Sequence, residues 1–404
     1  MRNLESSGME IDYTASRSVR NVVESIGRAE DVRFSPNNRR LALAGFIRNR
    51  IAVFDIDITT PATGTHVALT DVVELSSPAL SLPHGLDFID DETLVVANRA
   101  RDVAIFKLPA GTIDAQSCDV APIQTLPAGG TSLLNVPGSV AVVGGREDQS
   151  EILICNNDGC SITRHRLDCG GGAIRSNEVL LRKWVDVPDG VSVNHDGRWL
   201  AVSDHGSHSV LLYEYSARLN PDAEPDGILR GAYYPHGVRF SSDGRYVFVA
   251  DAGAPWVHVY ARDGGDWRGV RHPLARVRIM DESLFLRGRS HPAEGGPKGI
   301  DIDAGQNVLA VASEYRSLAF FDLPAILSSI AVNPNEQSQR EQSAVDIAYE
   351  LHILQQLKEA HTKAKEALTK AKEALALLGY VNNSKSWRLT APLRRLHSVL
   401  RRSG

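Results

Sequence analysis

Two sets of polar residues recur along this 404-residue chain in matched settings. Glu30, His84, Asp189, His236 and Lys298 each sit just ahead of a short apolar run, four of them inside a Pro-x-Gly tripeptide; Asn98, Asn156, Asp204, Asp251 and Ser313 each close the apolar run that follows. Counted from the glycine, the second position comes 13 or 14 residues after the first in most units, with a longer step in the third. Imidazoles such as His84 and His236 suit general-base chemistry or metal ligation near neutral pH. Carboxylate and amide oxygens converging from several units could hold Ca²⁺, which takes six to eight of them. The first set, with Asn98 and Asp251, is therefore expected to line a ligand site: Asp189, Lys298, Asn98 and Asp251 binding, His84 and His236 handling protons. A plainer role competes, because Asp and Asn at the end of a strand commonly cap turn N–H groups. His205 and His208 are three apart in a loop, a spacing that sets nothing on a common face, so a histidine-based transition-metal site is not expected.

These positions belong to a larger repeat. Aligning Asp31, Gly85, Gly138, Gly190, Gly237 and Gly299 gives steps of 54, 53, 52, 47 and 62 residues. In each unit an apolar run (Val238-Arg-Phe), a turn rich in Ser, Asp and Gly, a second run (Tyr246-Val-Phe-Val-Ala) and a third (Val257-His-Val-Tyr) predict a three-stranded meander. Val67–Leu75 and Ala275–Met280 supply outer strands. Meanders of this period bury their faces only against neighbours, and a closed ring protects their edges. The expectation is an all-β chain, a six-bladed β-propeller over residues 17–326, closed by the segment Arg17–Ser25 as an added strand of the last blade. A seventh blade would require a degenerate unit around Leu284–Gly288 in the 62-residue step.

The pattern Pro-x-Gly-apolar, Asp-Gly turn, apolar run ending Ala-Asp, then Val-x-Val-Tyr, clearest in Pro235–Tyr260, resembles NHL repeats. The ring as a whole is similar to SMP-30/gluconolactonase and strictosidine-synthase-like propellers. The SMP-30 resemblance implies a metal held by a Glu opening the first blade with Asn and Asp from later loops, which correspond to Glu30, Asn156 and Asp204. It also implies a Ca²⁺-dependent lactonase or ester hydrolase.

Composition bounds the rest. At 43% hydrophobic and 23% charged the chain is an ordinary globular one, and no run of eighteen apolar residues predicts a spanning helix. Cys118, Cys155, Cys160 and Cys169 have no zinc-ligand spacing and are expected as free thiols. Phosphate-loop, Rossmann, zincin and serine-elbow motifs are absent, which leaves nucleotide hydrolysis and those hydrolase mechanisms without support. Residues 340–404 hold 12 Lys/Arg against 6 Asp/Glu, whereas residues 1–339 hold 32 against 43. An acidic body thus carries a basic end, and an acidic body without a base-stacking array argues against nucleic acid as a partner.

That end has two parts beyond a linker at 327–342. Apolar residues at threes and fours from Ile347 to Leu378, with the tandem heptads Thr362-KAKEAL and Thr369-KAKEAL, predict an amphipathic helix over 343–378 ending before Gly379, suited to self-association. Residues 379–404 follow as a basic tail. Ser386–Arg394 resembles a short segment, roughly S-x-S-W-R-x-T-x-P-L-R, of bacterial glycosyltransferases and other surface-polysaccharide assembly proteins. Trp387, Arg388, Pro392, Arg394 and Arg395 are its interaction candidates, either with a protein of that machinery or with an anionic membrane surface, where each basic residue contributes about 1 kcal/mol. The first functional expectation is accordingly a cytoplasmic propeller, peripheral at the inner membrane face, that binds a glycan or partner enzyme of polysaccharide assembly. The second is the Ca²⁺-dependent hydrolase.

Overall fold

The computed structural model describes all residues except 7, 110–116, 131, 145–149, 168–173, 290–293, 332–343 and 384–404. It divides into two units, Met1–His352 and Ile353–Gly404. The first holds six sheets arranged as six blades, each an antiparallel meander and three of them extended by parallel strands at the outer edge, in agreement with the repeat count.

The inner strands are Ala29–Phe34, Pro83–Asp90, Pro137–Val143, Pro188–Val193, Pro235–Phe240 and Pro297–Ile302. Each pairs with a second strand ending at Gly45, Asn98, Asn156, Asp204, Asp251 or Ser313. The second strands are apolar and buried along nearly their whole length because both of their faces pack on neighbouring blades, which is why they read as continuous runs rather than as alternations. Leu41 and Phe54 of the first blade share one cluster with Val308, Ala310 and Phe320 of the sixth, and similar clusters fill the other gaps.

Closure differs from the expectation. The strand that completes the sixth blade is Glu10–Ile11, antiparallel to Phe320–Phe321. Arg17–Ser25 is a helix. Its Val19, Val22 and Val23 recur at helical rather than alternating spacing and are buried in the cluster between blades six and one, and Ser16 caps its start by accepting from Val19 N. Leu284–Gly288 belongs to a helix, Glu282–Gly288, capped by Asp281, so the long step conceals no seventh blade. At the other end the helix Ala344–Asn383 begins where expected but runs through Gly379. A single interior glycine costs a helix about 1 kcal/mol, which is not enough to end it. Leu368, Leu375 and Leu377 on this helix are exposed. No helix among the described residues is long and apolar enough to cross a membrane. Cys118, Cys155 and Cys160 are free thiols, and Cys169 lies outside the described residues, as do Trp387, Arg388, Pro392, Arg394 and Arg395.

Around the channel the inner strands are joined by carboxylates rather than by strand pairing. Asp301 accepts from Phe34 N (2.8 Å), Asp31 from Leu86 N (3.1 Å) and Asp87 from Val142 N (2.7 Å), each reaching into the following blade. Arg33 sits among them, 2.7 Å from Asp31 and 3.9 Å from Asp87. Burial outweighs Arg33 and the backbone donors, raising Asp31 and Asp301 to about 6 and Asp87 to about 7.

Candidate functional site

Every inner strand opens on a bulge, with register slips at Ala29/Val32, Pro83/Leu86, Pro137/Val140, Pro188/Gly190, Pro235/Val238 and Pro297/Ile300. A bulge re-aims a side chain, and the residue re-aimed in each blade is Glu30, His84, Gly138, Asp189, His236 or Lys298. The glycine that follows in Pro-x-Gly is required by the approach of the next blade: a Cβ on Gly237 would lie 2.5 Å from the Lys298 carbonyl oxygen, and one on Gly299 2.4 Å from Asp31 Cα. Five polar side chains are thereby buried around one channel.

The second set of residues does different work. Asn98 Oδ1 accepts from Ser81 N, Asn156 Oδ1 from Asn135 N, Asp204 from Asp186 N and Ser207 N, and Asp251 from Tyr233 N, Tyr234 N and Gly253 N. Ser313 Oγ donates to Arg316 O. The first four tie the end of the second strand to the loop that enters the same blade's inner strand. With their oxygens committed to backbone, Asn156 and Asp204 are not brought into a shell with Glu30. The residue one step later turns inward instead, as alternation along a strand requires. Arg99 Nη2 lies 3.5 Å from Asp189 Oδ1, Asn157 Nδ2 donates to that same oxygen at 2.9 Å, His205 Nε2 lies 3.4 Å from Asp189 Oδ2, and Phe46 meets His84 edge-on. Arg99, Asn157 and His205 each lie one position beyond the conspicuous strand-end residue of their unit, and spacing along the chain gives His205 no partner. His208 bonds the Tyr233 carbonyl and takes no part.

The centre is a cage of charges. Glu30 Oε2 is 3.3 Å from Lys298 Nζ, 3.4 Å from His236 Nε2 and 3.5 Å from His84 Nε2. Asp189 Oδ2 is 2.7 Å from His236 Nε2, and Asp189 Oδ1 is 3.9 Å from His84 Nε2. Glu30 also pairs with Arg28, and Lys298 with Glu294. Three imidazoles therefore converge with two carboxylates, contrary to the expectation drawn from the His205–His208 spacing, because the rings come from three different blades.

Burial would raise both carboxyls, but the cations around them win. Lys298, His236 and Arg28 hold Glu30 well below the carboxylate range, and His236 and Arg99 do the same for Asp189. Burial pushes His84 and His205 down to about 3, so both rings are neutral. For His236 burial is overcome by Asp189 and Glu30, which raise it to about 9. Titratable groups driven apart in this way beside a cavity are candidates for acid–base work.

Glu30, His84, Asp189 and His236, with Asp31, Arg33 and Arg239, line a cavity of about 10 Å³, the room of a single water-sized atom. Half-buried Phe46, Arg99 and Tyr234 flank the cluster, and Tyr234 stacks on His205 with ring centroids 3.8 Å apart.

No known protein family matches the sequence, and no curated protein matches it. Among solved structures, a gluconolactonase from Xanthomonas campestris, described as important in glucose secondary metabolic pathways, is similar at 18% identity with a TM-score of 0.46, over 74% of this chain and 88% of that one.

Proposed function

We propose that the chain is a hydrolase of small esters or lactones that works where the two rings of loops meet the channel. The observation that carries this reading is the convergence of Glu30, His84, Asp189, His205 and His236 from four blades, buried, oppositely shifted in pKa and flanked by half-buried residues. A structural polar cluster would satisfy its members, yet His84 Nε2 and His205 Nε2 have no aligned hydrogen-bond partner, and Glu30 Oε2 and Asp189 Oδ2 are met only as ion pairs by Lys298 and His236; each buried polar atom left unmet costs about 1–3 kcal/mol.

The chemistry follows from the placement. Glu30, fixed by Arg28 and Lys298, takes the proton of an attacking water as its oxygen bonds to the carbonyl carbon. When the C–O bond to the alkoxy group breaks, the proton returns to that oxygen through the Glu30–Lys298 pair. Asp189 holds the imidazoles, and Asn157 holds Asp189. The scaffold role in polysaccharide assembly, by contrast, draws on Trp387–Arg395, and no observation on the described residues favours it.

The test is a pH-stat assay of the full chain, supplied with divalent metal salts, on γ- and δ-lactones and simple aryl esters. Ring opening releases an acid, so turnover appears as base uptake. Hydrolysis of at least one class, lowered at least 100-fold in Glu30→Gln, is the expected outcome. Absence of turnover across the panel, or full turnover in Glu30→Gln, would overturn the assignment.

A further inference from the structure

We infer that the cage binds one divalent first-row transition ion, of the kind represented by Zn²⁺, Co²⁺ or Mn²⁺, with the Nε2 atoms of His84 and His236 and a carboxylate oxygen of Glu30 as ligands. The inference deepens the hydrolase reading, since such an ion supplies carbonyl polarisation and acidifies water.

His84 Nδ1 lies 2.9 Å from the Gly138 carbonyl, an acceptor, so Nδ1 carries the ring proton and Nε2 presents a lone pair. That lone pair faces Glu30 at 3.5 Å and Asp189 at 3.9 Å. Lys298 at 3.3 Å from Glu30 Oε2 and Arg99 at 3.5 Å from Asp189 Oδ1 answer the carboxylates, but the His84 Nε2 lone pair has no partner, and a cation placed among the three atoms would meet it. The facing atoms of Glu30, Asp189, His84 and His205 stay without aligned hydrogen-bond partners.

The donor atoms of Glu30, His84 and His236 lie within 4.8 Å of one another, and so do those of Asp189, His205 and His236. The two triads share His236, and the cavity lined by four of these residues has the size of one atom.

Outer partners of the kind that metal ligands use are also in place: the Gly138 carbonyl on His84, Asn157 on Asp189, Lys298 and Arg28 on Glu30. Gly138 takes part in a further way. It is the blank position in the inner ring, and a Cβ there would fall 2.1 Å from Asn157 Oδ1 and 3.0 Å from Asp189 Oδ1. The missing side chain makes the space in which Asn157 reaches Asp189.

The donor set decides which ion. Ca²⁺ asks for six to eight oxygens, and the site offers two carboxylates and three imidazoles. Imidazole ligands suit zinc and its neighbours, so the calcium centre implied by the SMP-30 resemblance does not fit these residues.

The experiment is a Co²⁺ titration of the full chain after treatment with EDTA and its removal, followed by visible absorption and equilibrium dialysis. One equivalent bound, with the d–d bands of a nitrogen-ligated ion, is expected, with uptake weakened at least 100-fold in His84→Ala. His236→Gln provides a second variant if His84→Ala unfolds, and far-ultraviolet circular dichroism reports on the fold of each. Absence of uptake at millimolar Co²⁺, or uptake unchanged in both variants, overturns the site. Ester hydrolysis that persists in EDTA without uptake would reject the ion and leave the hydrolase standing. One bound ion without hydrolysis would do the reverse.

Discussion

Asp189→Asn is expected to destabilise the propeller by about 3 kcal/mol and to abolish turnover. Asp189 stands against His236 at 2.7 Å, His205 at 3.4 Å and Arg99 at 3.5 Å, and it is fully buried. Removing one partner from a buried pair leaves the other charge uncompensated, which costs on the order of 3–5 kcal/mol. The amide oxygen still accepts from Asn157, and His236 escapes part of the penalty by releasing its proton, which places the loss at the lower end. Urea unfolding of wild type and variant at one pH measures it. A change below 1 kcal/mol would mean that Asp189 carries little of the cage.

The second large effect lies in the channel network. Asp87 is raised to about 7, against 3.8 for an unperturbed side chain, because burial outweighs Arg33 and the backbone donors of Val142 and Phe88. A carboxyl with a raised folded-state pKa binds more protons folded than unfolded between the two values. Its stabilising contribution is complete below about pH 4 and is lost as pH rises through 7. Between pH 5 and pH 8 wild type should therefore lose about 3 kcal/mol relative to Asp87→Asn, which has no proton to release. Denaturant unfolding of both chains across that range gives the difference directly. A difference that stays flat with pH would show Asp87 ionised throughout, as an ion pair with Arg33.

Both effects arise in features that the sequence reveals unevenly. The six blades are legible because each inner strand, turn and apolar second strand recurs at blade spacing, and because Pro-x-Gly marks the bulge and the close approach of the next blade. Four of the cage residues, His84, Asp189, His236 and Lys298, are legible as the x of that motif, and Glu30 as the residue at the same place in the first unit. His205 and Arg99 are not, since the repeat draws the eye to the conspicuous Asp and Asn at the strand ends, whereas alternation sends the next side chain inward. The closing strand was hidden for another reason. Glu10–Ile11 is two residues long, too short to show a period, while the stronger apolar signal at Val19, Val22 and Val23 belongs to a helix. Nor can spacing along the chain show that rings from three blades meet, because their convergence is a property of the closed ring.

The account rests on the inner ring doing the chemistry while the strand-end residues hold its loops. The most direct test is kcat/KM for the best lactone or ester, measured in wild type, in the double variant His84→Ala/His236→Ala, and in His208→Ala, whose ring lies outside the cage. The account predicts a loss of at least 1000-fold in the double variant and less than a threefold change in His208→Ala, with all three chains folded by circular dichroism. Turnover retained in a folded double variant would contradict it and place the reaction elsewhere on the propeller.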